Sequence, residues 1–492
     1  MTDTQEALLA GIIEAPLDDA PRLIYADYLE EHGQENRAEY IRISVELDRM
    51  EREHQPAYIL HQAFTRGDNI ALNQVEWEPI EPTLHRYCQI IQRLEKLRED
   101  HFHDWLRDDE LLNLGLRWSG GKRGFAERAT IAAPVKASKN AQKICSRTPL
   151  TSIQFCSRIA DHHLVRMINS GLLNRIVQIE NQLDDFFLLE LLADTPAVNT
   201  LQEYENINST ELQAIVHHPE YRAFKKLDLR LQTVDRDLFQ SFIRAPHLKS
   251  IEELAFGSNA WHAEFLNDFI QQDWSNLRVL SLNNCKIDDE ALELLITCPT
   301  LTNLHTLYLD DNRFTGTGFS AVLASKNLQN LKCLSVDSNE ISGFSKKEIV
   351  NSKLRLWVFS ATNCRLLPSD LRNLAESELF RELIWLCMGS CSITDTGLKN
   401  LLKSPFERLT VTNLMNNRFV NSGVQILCET SKLSTLQRCH LVNNPIDEQG
   451  ALALAQSNIL RDLKHICLSC AELDHLVRNA LENRFKQVIN LL

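Results

Sequence analysis

One spacing governs what this chain can fold into. Leu304, Leu307, Leu309, Asn312 and Phe314 follow an L-x-x-L-x-L-x-x-N-x-L pattern, and the pattern recurs from starts at 224, 251, 277, 304, 331, 356, 383, 409, 436 and 463. Successive starts lie 25 to 27 residues apart. A period that steady describes stacked coils rather than independent globular domains. Within each copy the alternation L-x-L places leucines on one face of a short strand and the intervening residues on the other. The Asn or Cys that follows sits where the chain leaves the strand, and a polar side chain there can satisfy backbone groups of neighbouring coils. The rest of each copy reads as a helix: Asp288-Asp289-Glu290 opens one, Asp395-Thr396-Gly397 another and Asp447-Glu448-Gln449 a third, each before an apolar run.

These repeats, from 224 to 473, resemble leucine-rich repeats of the ribonuclease-inhibitor-like or cysteine-containing class. The resemblance implies an α/β solenoid, a horseshoe with parallel strands on the concave face and helices on the convex face. Leu173, Ile176, Asn181 and Leu183 suggest a degenerate copy further upstream, with weaker starts near Phe125, Leu150 and Val198. The segment from Leu481 to Leu492 reads as a helix and a short strand that cap the last coil.

A small all-α module is expected before the repeats. Leu8, Leu9, Ile12 and Ile13 form one apolar face, Pro16 to Pro21 breaks the chain, and Arg22 to His32 is an amphipathic helix closed by Gly33. The run from Glu6 to Leu47 resembles the repeat-companion domain that precedes leucine-rich repeats in bacterial paralogous families. Pro16, Asp18, Asp19, Arg22, Leu23, Ala26, Asp27, Leu29, Glu30, Glu31, Gly33, Ala38, Glu39, Ile41 and Arg42 carry the likeness, with Tyr28 where that family has Trp. Arg123-Gly124-Phe125-Ala126-Glu127 is similar to the passage from that domain into its first repeats. The resemblance implies architecture and no reaction. The domain plan is therefore 1–52 helical module, 53–124 helical linker and cap, 125–223 degenerate repeats, 224–480 regular repeats and 481–492 C-terminal cap.

Charge divides the chain in the same place. Residues 1–124 hold 25 acids against 14 basic residues, whereas the whole chain carries a net −14. That acidity leans away from nucleic acid. No run of 18 apolar residues predicts a membrane helix, no basic stretch before an apolar one suggests a secretory signal, and the cysteine usage leads to the expectation of a reducing cytoplasm. Thirteen cysteines, an odd number in a long chain, do not read as a disulfide framework. Cys467 with Cys470, and Cys387 with Cys391, lack the second pair that a zinc site needs.

No catalytic or cofactor motif stands out, and neither a metal nor a cofactor is expected. Gly120-Gly121-Lys122 lacks the upstream Gly and following Ser/Thr of a phosphate loop. Gly316-Thr317-Gly318 reads as turn geometry. His101 and His103 point apart on a helix, and His162-His163 and His217-His218 have no visible partner. Arg22, Asp27, Glu30 and Glu31 could be read as an acid–base group, but a helix with solvated ion pairs or a packing role explains them as well.

Function is thus expected from surface. The second, fourth and sixth residues after each start face outward from the strands, and they include Tyr308, Asp310, Asp337, Trp385, Met415, Arg438 and His440. Trp385 is the sharpest binding candidate, with cover for a neighbouring coil as the alternative. Tyr308, Asp310, Asp311 and Asp337 suggest an aromatic–acidic patch for a protein with a basic surface. The sequence reading is a non-enzymatic scaffold that binds a protein through its concave face. Regulation of a partner enzyme such as a GTPase is the alternative, and an enzyme site within 1–124 is a third.

Overall fold

The computed structural model describes residues 3–53, 82–105, 113–120, 123–125, 127–183, 187–229, 236–257, 263–469, 473–485 and 487–490. These form two compact units, one running to Leu254 and one from Ala255 onward. Met1, Thr2 and most of the 53–83 stretch fall outside the described residues.

The first unit opens with four helices, α1 (Asp3–Glu14), α2 (Ala20–Glu31), α3 (Glu35–Glu53) and α4 (Pro82–Trp105). Pro21 in the first turn of α2 has the φ a helix start wants, and Gly33, with a φ of 74°, ends it. Ile12, Tyr25, Ala26, Leu29, Ala38 and Ile41 close around Phe125, which belongs to the chain entering the first coil. Gly124 makes that approach possible: its φ is 89°, and a Cβ there would stand 2.7 Å from Ile41 Cα. Bidentate pairs from Arg86 to Glu46 and from Arg93 to Glu39 tie α4 to α3.

Six strands follow in this unit: β1 (Leu116–Gly120), β2 (Arg128–Ile131), β3 (Ser152–Phe155), β4 (Gln178–Asn181), β5 (Glu203–Glu205) and β6 (Lys226–Leu229). β1 pairs antiparallel with β2, and β2 to β6 pair in parallel. The degenerate copies are real coils, but two are displaced from their sequence reading. Ile179 and Asn181 point inward on β4 and Tyr204 on β5. The copies therefore start at Ile176 and Leu201. Leu173 and Val198, read as starts, lie in the short 3-10 turns before the strands, where buried apolar residues mimic the pattern. A strand β7 (Glu253–Gly257) comes next in the chain.

The second unit stacks β8 (Val279–Asn283), β9 (Thr306–Tyr308), β10 (Cys333–Ser335), β11 (Val358–Ser360), β12 (Trp385–Cys387), β13 (Val411–Asn413), β14 (Arg438–His440), β15 (His465–Leu468) and β16 (Gln487–Asn490), all parallel. This is the α/β leucine-rich-repeat fold, one strand and one helical segment per coil. The Asn site works as its chemistry suggests. Asn312 Nδ2 donates to Leu282 O and Leu309 O, both at 2.8 Å, while Oδ1 accepts the N–H groups of Cys285 and Ile287. Asn417 repeats this toward Met388, Leu414, Cys391 and Ile393. Cysteine is the lesser substitute: Cys391 donates to Ala361 O, and burial drives its thiol pKa far up. The exits of β8 to β14 then turn through a left-handed residue, at Asn284, Asp311, Ser338, Asn363, Ser390, Asn416 and Asn443, a conformation Asn and Asp adopt most cheaply among residues with a Cβ.

Gly316 and Gly318 are not turn glycines. They lie in the first turn of the helix Gly316–Ala324, where a Cβ would meet Ser342 O at 2.5 Å and Asp289 Oδ1 at 2.6 Å. The space serves a contact between coils, since Asp289 Oδ1 accepts the Gly318 N–H.

Candidate protein-binding face

The strand register of the second unit arranges the outward side chains in rows. One row runs Val279, Thr306, Cys333, Val358, Trp385, Val411, Arg438 and His465. The next runs Ser281, Tyr308, Ser335, Ser360, Cys387, Asn413, His440 and Cys467. The two aromatic residues each have small neighbours: Trp385 stands between Val358 and Val411, and Tyr308 between Ser281 and Ser335. A bulky side chain with small neighbours lies down over them, and the result is a face largely closed on itself. Tyr308, Trp385 and Arg438 are each only 4% exposed. They point outward as the sequence implies, but most of their surface is already spent within the unit. Of the other expected contact residues, Asp310, Asp337, Met415 and His440 are half-buried and keep part of their surface open.

The two aspartates do a job that composition did not reveal. Asn283 Oδ1 accepts the Asp310 N–H at 2.9 Å. Asp310 Oδ1 accepts the Ser335 hydroxyl at 2.5 Å and the Asp337 N–H at 3.0 Å. Asp337 Oδ1 accepts the Ser360 hydroxyl and the Thr362 N–H, both at 2.6 Å. Asn283, Asp310 and Asp337, all at the sixth position, thus each hold the next coil. The signal was in the sequence: an Asp at the sixth position is followed, one coil on, by a Ser at the fourth, as in Asp310 with Ser335 and Asp337 with Ser360. Burial and the neighbouring Asp310 carboxylate push the Asp337 carboxyl up to about 7.

A second cluster, missed from sequence, lies just before the strands. Lys332 Nζ sits 5.1 Å from the centre of the Trp357 ring, Trp357 Nε1 donates to Glu382 Oε2 at 3.1 Å, and Lys332 pairs with the same carboxylate at 3.4 Å. Burial, then Arg278 and Lys332, hold the His305 imidazole below its ordinary pKa.

Groups that could be mistaken for catalytic ones have structural partners. Arg22 Nη2 donates to Glu127 Oε1 at 2.5 Å, with both side chains buried. Arg123 Nη2 reaches Glu127 Oε2 at 3.3 Å and its Nη1 donates to Leu17 O. Burial pushes the Glu127 carboxyl up against the pull of both arginines. Asp27 and Glu30 share Arg42 at 2.6 and 2.5 Å on an open surface. Cys387 faces outward against the Thr362 hydroxyl at 3.1 Å, whereas Cys391 occupies the inward Asn site, so the two serve opposite faces. Cys470, Gly121 and Lys122 lie outside the described residues, as do the side chains of residues 102–104. His101 stacks on Trp105 with ring centres 5.5 Å apart and its Nε2 lies 3.0 Å from Asn36 Nδ2. Ser138 Oγ lies 2.9 Å from His163 Nδ1, and His218 pairs with Glu190 at 3.3 Å. Among the described residues no helix is long and apolar enough to cross a membrane.

No protein-family description matches the chain, and no curated protein does. Solved structures similar to it include an internalin from Listeria monocytogenes, 16% identical over 72% of this chain and 89% of that one, with a TM-score of 0.40. The yeast Rad7 and Elc1 complex is 15% identical over 81% of this chain and 90% of that one, with a TM-score of 0.43. A leucine-rich-repeat protein from Leptospira interrogans is 15% identical over 73% and 81%, with a TM-score of 0.40.

Proposed function

We propose that the chain is a non-catalytic scaffold that binds a protein partner, and that the outward face of the second unit is one of its contact surfaces. The observation that carries this reading is the division of labour on that face. Tyr308, Trp385 and Arg438 pack it into a stiff surface, while Asp310, Asp337, Met415 and His440 remain partly open to a partner. A preformed face loses little side-chain entropy on binding. A partly open acid pair at one end of the face, with Met and His several coils further along it, suits a protein with basic and apolar groups. The acidic net charge weighs against nucleic acid, and twelve free cysteines among the described residues suit a reducing cytoplasm.

The test compares affinity capture by the intact protein with capture by a Met415→Lys/His440→Glu variant whose melting temperature is unchanged. The same proteins recovered in equal yield by both would overturn the face as the site. A partner lost from the variant, then rebound with purified components at an affinity at least about tenfold weaker, supports it. Bound nucleic acid in place of protein would overturn the partner class.

A further inference from the structure

The coil edge just beyond the left-handed turns carries a pattern of its own. Eleven residues after each start the second unit places Asp288, Thr315, Ser342, Leu367, Thr394, Val420, Asp447 and Asp474, each at the N-cap of its coil's helix except Ser342, whose coil is capped at Ser345. Asp288, Thr315, Thr394, Asp447 and Asp474 accept N–H bonds at their helix starts. Leu367 and Val420 stand at the N-cap of their helices and cannot accept an N–H there, although Asp370 Oδ2 and Asp395 Oδ1 accept their own backbone N–H groups. An apolar N-cap costs a helix about 1 kcal/mol relative to a capping residue. Neither side chain recovers that by burial, since Leu367 is 48% and Val420 40% exposed. The same two coils carry Arg365 and Arg418 two residues earlier, both exposed and with no ion-pair partner among the described residues. The intervening coil has only Ser392 and Thr394 at these places. Two Arg–apolar pairs, two coils or roughly 10 Å apart, therefore flank a low, small-residue step.

The helical module displays the complement. On α2, Ile24, Asp27 and Glu31 fall at i, i+3 and i+7, one stripe of the helix. Ile24 is 56% exposed, and Leu17, just before the helix, is 45% exposed. Asp27 and Glu30 share the Arg42 guanidinium, and Glu31, exposed on the same helix, adds a third carboxylate with no ion-pair partner among the described residues. Exposed Leu17 and Ile24 with surplus acid thus face solvent in one unit, and apolar side chains with surplus base do so in the other.

We infer that the chain self-associates, the α2 stripe of one copy docking on the Arg365/Leu367–Arg418/Val420 edge of a second copy. Ile24 and Leu17 would lie against Leu367 and Val420, with Glu31 and Asp27 meeting the two guanidiniums. The contact joins unlike surfaces, so copies add head to tail or close into a ring. It is separate from the strand face proposed above for another protein.

Sedimentation velocity of the full chain over a range of concentrations tests this. The expected result is association at about 0.1 M salt that falls at least about tenfold at about 1 M, where the screening length shrinks from about 10 to about 3 Å. Arg365→Glu/Arg418→Glu should be monomeric, and Asp27→Arg/Glu31→Arg should be monomeric too. Mixing the two should restore association, because each copy then offers what the other lost. Leu367→Ser, expected to melt no lower than wild type, should weaken association without any change of charge. A wild-type chain that stays monomeric at every concentration and low salt overturns the inference. So does association that both charge reversals leave intact, or a mixture of the two variants that remains monomeric.

Discussion

Asp337 shows how a single carboxylate can hold structure and oppose it at once. Its Oδ1 joins two coils through Ser360 and Thr362, yet its charge sits beside Asp310 in a half-buried place. With a folded pKa of about 7 against an ordinary carboxylate value near 4, the folded protein holds the extra proton between those limits. Stability from this group is therefore present at low pH and is lost as pH rises toward and through about 7. Asp337→Asn keeps the acceptor and removes the charge. It should raise the melting temperature at pH 8, by an amount worth at least about 1 kcal/mol, and change little at pH 4. A variant that melts lower than wild type at pH 8 would show the carboxylate charge to be favourable.

Among elements, the joint between α2 and the entry to the first coil rests on charge rather than on apolar packing alone. Glu127 lies between Arg22 and Arg123, and its removal takes the nearest countercharge from two buried guanidiniums, leaving Arg22 on Asp18 O and Arg123 on Leu17 O with Asp19 and Asp48 further off. Glu127→Gln should cost about 3–5 kcal/mol, read as a loss of helical signal at lower denaturant than wild type. A cost below about 1 kcal/mol would mean that water replaces the carboxylate. The sequence presented Arg22 and Glu127 only as parts of two separate motifs 105 residues apart, so their meeting was not legible there. The coils were legible, because an apolar period survives any choice of partner. What escaped was whatever depends on side-chain size in three dimensions. Trp385 and Tyr308 were placed on the right face, but their burial follows from the valines and serines one coil away. The three-residue slip at Leu173 and Val198 arose because a 3-10 turn buries leucine and valine as well as a strand start does.

Taken as a whole molecule, a stack of coils has no single center: each coil's stability is its own plus what its two neighbours add. Leu309→Asp should therefore bury an unpaired charge in β9's coil and open it together with its neighbours. Hydrogen exchange should quicken in β8, β9 and β10 and remain as in wild type in β2 to β4 of the first unit. Asp310→Ala, which loses two accepted hydrogen bonds at a partly wet position, should cost only about 1 kcal/mol and leave the pattern of exchange unchanged. Uniform quickening throughout the protein after Leu309→Asp would show one cooperative body instead.

The side-chain ladder from Asn283 through Asp310 and Asp337 to Thr362 has a direction. Every acceptor belongs to the earlier coil and every donor to the later one. Such a linkage does not count how many coils precede or follow it. It asks only that the next coil bring an N–H, and usually a hydroxyl, to the same height. Ancestral gain or loss of material in this region is therefore workable in complete turns of the coil, each arriving with its own acceptor and donor. A partial turn would leave one rung without a mate. Within this stretch of coils, the unit of change is set by its hydrogen bonds.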